Sequence, residues 1–156
     1  MMMKIIDGSS RQQDVKELIM EYTEGLHLDL TFQGLAEELR TLAKYLPPKG
    51  RMLLAIDDTG APLGTVSYTG HSTHRCEMKR LYVKPAYRKE QIGKKLAVEI
   101  IHLAQGDGYS EMVLDTLHTM PAAIHLYRAL GFSEMSPYYD NPLEGVIFMK
   151  KTLNDI

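Results

Sequence analysis

The segment that most constrains the fold spans residues 77–96, where an extended run turns into a helix. Glu77-Met78-Lys79-Arg80-Leu81-Tyr82-Val83 indicates a strand, Pro85 ends it, and a basic turn containing Gly93 leads into an amphipathic helix. Because such a junction offers free backbone N–H groups, it predicts a site for a phosphate-bearing cofactor. The segment has neither a G-x-x-x-x-G-K-[ST] run nor a G-x-G-x-x-G run, so neither a nucleotide triphosphatase nor a Rossmann dehydrogenase follows.

Length and charge narrow the class of protein. A chain of 156 residues is expected to form one domain, 1–156, and a domain of this size buries about 70% of its unfolded surface. The formal net charge of -2 argues against a nucleic-acid partner. Basic residues gather around the junction instead, which suits either one small polyanion or a solvated helix face: Lys79, Arg80, Lys84, Arg88, Lys89, Lys94 and Lys95.

Cysteine content and hydropathy predict a cytoplasmic location. Cys76 is the single cysteine, so no internal disulfide can form, as is usual in a reducing compartment. The apolar start of the chain is too short for a signal peptide. No apolar run approaches the length needed to span a bilayer, so no membrane partner is expected.

Hydrophobic periodicity predicts the order of the remaining elements. A first strand precedes a helix with a capping box at Ser10-Arg11-Gln12-Gln13, and a second helix runs from about Gln33 to Tyr45, with Ala43 on its buried side. The later elements are a hairpin at 51–68, the strand and helix of the junction, a parallel strand at 111–115, a helix at 121–130 and a strand at 146–149. This order predicts an α/β fold with a mixed sheet and helices on both faces.

The run at residues 88–93 and the helix ending at residues 121–132 resemble two motifs of a known family, the GCN5-related N-acetyltransferase (GNAT) superfamily. Arg88-Lys89-Glu90-Gln91-Ile92-Gly93 resembles its [Q/R]-x-x-G-x-[G/A] cofactor motif, and residues 121–132 resemble its A-x-x-L-Y-x-x-x-G-F helix ending. Residues 77–83, 114–117 and 137–142 add a narrower likeness to a bacterial subgroup of acetyltransferases. The chain departs from the family at two positions, because Gln91 replaces the first motif glycine and Met120 replaces a frequent asparagine.

The resemblance implies a fold, a cofactor and a reaction. The fold would be that of acyl-CoA N-acyltransferases, a mostly antiparallel sheet with one parallel pair, and the reaction would transfer an acetyl group from acetyl-CoA (coenzyme A) to a primary amine through a tetrahedral intermediate. The strand at 77–83 would hold the pantetheine arm and the turn at 88–94 the pyrophosphate. The residues so implied are Leu81, Tyr82, Val83, Arg88, Lys89, Glu90, Gln91, Ile92, Gly93 and Lys94. A positive φ at Gln91 would cost strain that glycine avoids.

Catalytic roles also come from the resemblance. The family places a tyrosine at the position of Tyr127, within reach of the cofactor sulfur, where it would act as general acid. Without the resemblance, a tyrosine on this packed helix is a core residue. Glu77 lies in the strand that would border the acceptor and is the predicted base, with a buried ion-pair carboxylate as the alternative.

The acceptor stays open between a small amine, an amino acid and a protein amine. Apolar and aromatic residues on both sides of the strand are expected to bind it: Tyr22, Leu28, Phe32, Tyr138 and Tyr139. A non-catalytic acyl-CoA sensor on the same fold and the transfer of a longer acyl group remain alternatives. The H-x-x-H-x-C pattern at 71–76 lacks a second ligand cluster, so no metal is expected, and pairing at a sheet edge predicts a homodimer.

Overall fold

The computed structural model describes residues 3–26 and 34–153, apart from the side chain of Lys89. In these residues seven strands and four α-helices follow one another as β1 (Met3–Asp7), α1 (Gln12–Leu26), α2 (Leu35–Thr41), β2 (Gly50–Asp57), β3 (Pro62–Gly70), β4 (Arg75–Val83), α3 (Ile92–Gly106), β5 (Glu111–Leu117), α4 (Pro121–Ala129), β6 (Ser133–Met135) and β7 (Val146–Thr152). The predicted order of strands and helices is confirmed.

The strands form one sheet in the order β1-β2-β3-β4-β5-β7-β6. β4 and β5 are parallel, whereas every other neighbouring pair is antiparallel. The parallel pair follows from α3, because a helix between two strands carries the chain back to the starting edge of the sheet. The predicted mixed sheet, mostly antiparallel with a parallel pair, is therefore confirmed.

β4 and β5 separate soon after they meet. Their described pairing covers only Arg75–Glu77 against Glu111–Val113, although β4 continues to Val83 and β5 to Leu117. β4 also carries a bulge, because Thr65 of β3 pairs with Tyr82 while Ser67 pairs with Lys79, which leaves one extra residue in β4. A bulge bends its strand and breaks pairing locally. The sheet is consequently open between the second halves of β4 and β5.

Two hydrophobic clusters cover the two faces of the sheet. In β2, Leu53 and Ala55 belong to the cluster built on α3, and the alternate residues Met52, Leu54 and Ile56 belong to the cluster built on α1. This alternation is the period of a strand that is buried on both faces. The prediction of helices on both faces is confirmed.

The capping box predicted at residues 10–13 is wrong. The chain forms a 3-10 turn at Gly8–Arg11, and the Asp7 carboxylate caps it by accepting the Ser9 N–H at 2.9 Å. The Ser10 hydroxyl donates instead to the Asp7 carbonyl at 3.2 Å. Asp7 is at the end of β1 in an extended conformation, which is the backbone geometry that an N-cap requires.

The second helix is shorter than predicted. α2 ends at Thr41 because Leu42 takes a left-handed conformation with φ 51°, and a 3-10 turn at Ala43–Tyr45 follows. A left-handed residue breaks the helical spacing, so Ala43 is exposed whereas Leu42 and Tyr45 are buried. The predicted burial of Ala43 is therefore wrong, and the predicted start at Gln33 lies outside the described residues.

The closing strands extend beyond the sequence prediction. β7 continues to Thr152, and it pairs with the three-residue β6, which no periodicity announces. A strand this short does not contain enough residues to show alternation. Among the described helices, none is long and apolar enough to cross a bilayer.

Candidate active site

A cleft of about 780 Å³ lies where β4 and β5 separate. Both separated strands contribute to its walls, through residues 78–83 and 114–117. Tyr22 of α1 also lines it, as does Tyr127 of α4. Because α1 packs on one face of the sheet and Tyr127 belongs to the cluster on the other, the opening between the strands joins the two faces.

The N-terminus of α3 borders this cleft. Gln91 precedes the helix in a left-handed conformation with φ 59°, so the positive φ considered from the sequence is present. The Lys95 N–H bonds to the Gln91 carbonyl at 3.1 Å, and the amides before it are in the first turn, where a helix supplies no acceptors. These amides are at the positive end of the helix dipole, which attracts an anion.

Gly93 leaves room at the same place. A Cβ added to Gly93 would meet only Val83 Cγ2 among the described atoms near it, at an ordinary 3.6 Å. Protein packing therefore does not demand glycine at this position, while the residue lines the cleft. A missing side chain at a helix N-terminus lets a phosphate approach the backbone closely.

Arg88 is fixed beside the helix N-terminus. Its Nε donates to the Val83 carbonyl at 3.0 Å, and its guanidinium lies 5.6 Å from the centre of the Tyr82 ring. Seven of the ten predicted cofactor residues line the cleft: Leu81, Tyr82, Val83, Arg88, Gln91, Gly93 and Lys94. Ile92 is buried in the α3 cluster, Glu90 is exposed outside the lining, and the Lys89 side chain is outside the described part.

Tyr127 presents a hydroxyl that no described residue binds. The side chain is 8% exposed, lines the cleft and packs edge-on against Phe132 with ring centres 5.9 Å apart. Burial raises the pKa of Tyr127 above its usual value of 10. The phenol therefore keeps its proton at neutral pH and has one available for a leaving group.

The β4 bulge aims two neighbouring cations to the same side. Met78 and Leu81 pack with the α3 cluster, so Lys79 and Arg80 between them both point to the α1 and α2 face. Arg80 has φ 61°, a left-handed value that an extra residue in a strand can adopt. In a regular strand the two side chains would lie on opposite faces.

Glu77 is buried in a hydrogen-bond network beside the cleft. Its Oε1 is 2.9 Å from His71 Nε2, and its Oε2 accepts the Tyr138 hydroxyl at 2.6 Å. Burial opposes ionisation, but the His71 contact and the nearby Lys79 charge together lower the pKa of Glu77. Glu77 does not belong to the cleft lining, so its predicted role as base would need an intervening group.

Asp115 is the carboxylate of β5 that does line the cleft. It accepts a hydrogen bond from the Tyr139 hydroxyl, and the Asn141 amide donates to that hydroxyl at 2.7 Å. Asp115 is not among the site residues predicted from the sequence, although a single carboxylate in the mostly apolar run 112–117 is a signal of a functional position.

The residues predicted to bind the acceptor divide into three groups. Tyr22 lines the cleft. Tyr138 and Tyr139 pack on Phe148, with ring centres 5.1 and 5.5 Å away, and reach the site through Glu77 and Asp115 instead of lining it. Leu28 and Phe32 lie outside the described residues.

The H-x-x-H-x-C pattern does not assemble in space. His71 contacts Glu77, His74 is exposed, and Cys76 is buried in the α3 cluster, where burial raises the pKa of its thiol to about 12. No group of three or more metal-ligating side chains occurs within 3–26 and 34–153.

Comparison with known proteins links this geometry to one family. The model of the Acetyltransferase (GNAT) family matches residues 13–132. An uncharacterized N-acetyltransferase of Schizosaccharomyces pombe is 45% identical over 139 residues, which is 88% of this chain and 85% of that protein. Since this relative is fungal, the predicted likeness to a bacterial subgroup is not confirmed.

Two solved structures share the fold. A GNAT-family acetyltransferase of Staphylococcus aureus superposes with a TM-score of 0.82 at 23% identity, over 98% of this chain and 100% of the other. The PaiA N-acetyltransferase of Thermoplasma acidophilum, solved in complex with coenzyme A, superposes with a TM-score of 0.73 at 18% identity, over 97% and 99%.

Proposed function

The chain belongs to the acetyltransferase (GNAT) family of acetyl-CoA-dependent acyltransferases, and we propose that it transfers an acetyl group directly to a primary amine. One observation carries the proposal. A single cleft brings together a helix N-terminus, an unpaired strand edge and the Tyr127 hydroxyl. These are the parts needed to hold a diphosphate, position an acyl chain and protonate a leaving thiolate.

The residues at the junction fit a diphosphate. The first-turn amides of α3 have no internal acceptors, Gly93 leaves the approach open, and Arg88 and Lys94 add positive charge. Bound acetyl-CoA would supply the activated acetyl group. Gln91 already has the left-handed backbone that the motif glycine would give, so its side chain does not prevent this arrangement.

β4 supports the proposal through its unpaired edge. In the described pairing, β4 loses its β5 partner after Glu77, so backbone groups from Met78 to Val83 on that side are free to bind a ligand. The amide groups of a pantetheine arm suit such an edge, because an extended segment can pair with it as a strand does. A β4 N–H would also stabilise the negative charge that develops on the acetyl oxygen.

Tyr127 acts as the general acid in this proposal. Its raised pKa keeps it protonated, and its hydroxyl, in the cleft lining, has no hydrogen bond to a described residue that would compete with a thiolate. A phenol is a weaker acid than a thiol, so Tyr127 would donate its proton to the sulfur as the C–S bond breaks, with the sulfur held next to the hydroxyl.

Two carboxylates compete for the role of base. Asp115 lines the cleft, so it can reach the amine without an intervening group. Glu77, the choice made from the sequence, would act through Tyr138 or a water, because His71 and Tyr138 already occupy its oxygens. Direct access favours Asp115.

The test is release of free thiol from acetyl-CoA with a panel of amines, amino acids and lysine-containing peptides. The proposal expects thiol release with at least one acceptor and its loss in Tyr127→Phe. Tyr109→Phe is the matched control, because Tyr109 packs on Tyr68 and does not line the cleft. Binding of coenzyme A without turnover of any acceptor would favour a non-catalytic sensor. Faster turnover of propionyl- or succinyl-CoA would favour a longer acyl group.

A cytoplasmic homodimer stays a prediction. The edges of the sheet are β1 and the three-residue β6. Among the described residues, Met20, at 42%, is the one exposed large hydrophobic side chain. Short edges offer little surface for strand pairing between chains. Light scattering of the purified protein would decide the oligomeric state.

A further inference from the structure

We infer that the amine acceptor carries a carboxylate beside its amine, as an amino acid does, and that Lys79 binds this carboxylate. The inference rests on the proposed function and specifies the substrate class of the same cleft. It depends on three observations, which are the isolation of the Lys79 ammonium, its separation from Asp115 and the charge balance around them.

The Lys79 ammonium lacks a hydrogen-bond acceptor in the described part of the chain. Its side chain is 11% exposed and lines the cleft. The carboxylate within ion-pair range is Glu77, at 4.0 Å, which is too long for a hydrogen bond. Lysine is rarely buried to this extent, and a buried ammonium normally has its donors bound. The site therefore offers three N–H donors to whatever enters the cleft.

Glu77 does not accept a hydrogen bond from Lys79, since the two groups are 4.0 Å apart and Glu77 holds two other partners. Both oxygens of Glu77 are engaged, one by His71 Nε2 at 2.9 Å and the other by the Tyr138 hydroxyl at 2.6 Å. Burial lowers the pKa of Lys79 in spite of the opposing charge of Glu77. An anion bound directly to the ammonium would offset this cost of burial.

Arg80 does not compete for the same anion. Its guanidinium makes two hydrogen bonds to Glu38, at 2.8 and 3.0 Å. The bulge directs the side chains of Lys79 and Arg80 to one face of the sheet. Because Glu38 binds the Arg80 guanidinium, the Lys79 ammonium is the donor that remains available. Lysine acts on an anion as a point charge, which suits a carboxylate of varied orientation.

Asp115 supplies the opposite charge on the next strand. Met112 and Leu114 pack in the α3 cluster, so Asp115 projects to the same face as Lys79. The two residues interact electrostatically, yet no ion pair within 4.0 Å joins them among the described contacts. Two opposite charges that face one cleft without touching are complementary to a zwitterion, with its ammonium at Asp115 and its carboxylate at Lys79.

The charged side chains around Lys79 leave no excess negative charge to bind a substrate with two positive charges. Among the charges around Lys79 and their direct partners, three cations match three carboxylates: Lys44, Lys79 and Arg80 against Glu38, Glu77 and Asp115. Glu21, which also lines the cleft, is paired with Lys84 at 3.1 Å. A zwitterionic acceptor preserves that balance. A diamine would bring two positive charges; Asp115 could balance one of them, and the second would meet Lys79.

The experiment compares amino acids with the amines that differ only by the carboxylate. The probes are L-leucine with isopentylamine, L-phenylalanine with phenethylamine, the corresponding amino-acid amides, and a lysine-containing peptide, each measured as kcat/KM by free-thiol release. The inference expects each amino acid to exceed its amine and its amide at least tenfold. In Lys79→Gln, and in Lys79→Met, this ratio falls towards one, whereas Lys79→Arg retains part of it.

Lys4→Met is the matched control, because Lys4 is exposed on the edge strand β1, and it keeps the ratio of the parent protein. Melting temperature and coenzyme A binding show whether each Lys79 variant is folded. Amines, amides or peptides that equal or exceed the amino acids would overturn the inference and leave the proposed function standing. A ratio that Lys79→Gln does not change would overturn the role of Lys79. Coenzyme A binding with no thiol release from any probe would contradict the proposed function itself.

Discussion

The Arg80 guanidinium and the Glu38 carboxylate form a bidentate ion pair between β4 and α2. Nε and Nη2 of Arg80 lie 2.8 and 3.0 Å from the two Glu38 oxygens, and the side chains are 4% and 1% exposed. Lys44 adds a third contact to Glu38 at 3.0 Å. This pair fastens the bulged residue of β4 to a helix on the face where the acceptor would bind.

Breaking the pair on one side should destabilise the protein strongly. Glu38→Gln leaves a buried guanidinium without its counter-charge, and we expect a loss of about 3–5 kcal/mol in the free energy of unfolding. Urea denaturation followed by circular dichroism measures it. Arg40→Gln is the comparison, since the Arg40–Glu37 pair is exposed on both sides and should change stability by less than about 1 kcal/mol.

Removing both charges together should cost less than removing one. In the double variant Glu38→Leu with Arg80→Met no charge of the pair remains uncompensated, so part of the stability returns. A double variant no more stable than Glu38→Gln would show that an uncompensated guanidinium is not what destabilises the single variant.

Acid should weaken the fold through Glu38. Burial opposes ionisation of this carboxyl, but the hydrogen bonds and charges of Arg80 and Lys44 outweigh it and lower its pKa to about 2 from 4.5. In the unfolded chain the Glu38 carboxylate therefore becomes protonated near pH 4.5, whereas in the folded chain it stays ionised down to about pH 2. Glu38 therefore contributes about 3 kcal/mol to the free energy of unfolding above pH 5, and this contribution is lost as the pH falls towards 2.

The acid effect is measured as the difference between the parent protein and Glu38→Gln. Urea midpoints from pH 6 down to pH 3 should fall more steeply in the parent protein, because the variant has no carboxyl to protonate at this position. Parallel curves for the two proteins would argue against a depressed pKa at Glu38.

Glycine at position 91 should be tolerated better than alanine. Gln91 has φ 59°, a conformation that costs a residue with a Cβ about 1–2 kcal/mol, whereas glycine loses about 0.5–1 kcal/mol of chain entropy. We expect Gln91→Gly to be as stable as Gln91→Ala or up to about 1 kcal/mol more stable. At an ordinary helical position the alanine variant would be the more stable of the two. A Gln91→Ala variant more stable than Gln91→Gly would therefore contradict the left-handed backbone at this position.

Tyr127→Phe should reduce turnover without a matching loss of stability. Loss of a general acid typically lowers kcat by about 10²–10⁴-fold, and the removed hydroxyl has no hydrogen bond to a described residue. Because burial raises the pKa of Tyr127, the acid stays protonated as the pH rises, and it contributes no decline in kcat below pH 10. A decline near pH 9 that disappears in the variant would contradict this role.

Replacement of the two carboxylates should separate the candidate bases. Asp115→Asn removes a carboxylate from the cleft itself, and we expect a fall in kcat of about 10²-fold or more with the acidic limb of the pH profile altered. Glu77→Gln should act more weakly on kcat, since its oxygens are already bound by His71 and Tyr138. The opposite order would return the role of base to Glu77.

Local patterns carried much of the fold. The apolar stripe of α3 and the turn at Asp57–Gly60 are readable because each depends on neighbours a few residues apart. The predicted capping box is wrong because both Asp7 and Ser10 can cap a helix, and the extended backbone at Asp7 decides between them. The predicted extension of the second helix past Leu42 is wrong for a related reason, because the leucine side chain does not indicate a left-handed backbone.

The site shows the same division. Arg88, Gly93 and Tyr127 were predicted, because their motifs repeat a fixed spacing that a resemblance can detect, whereas Asp115 was missed. Its importance depends on where β5 leaves β4, and no local spacing encodes that separation.

By itself, the sequence determined the order of elements, the strand-to-helix junction and the family, because periodicity and motifs are properties of neighbouring residues. Only the tertiary structure decided which charges share the cleft. The bulge puts Lys79 and Arg80 on one face, and the ion pair that occupies Arg80 and leaves Lys79 available joins β4 to Glu38, which is 42 positions away in the chain. Contacts between such distant residues depend on how the whole sheet closes, which no local pattern contains.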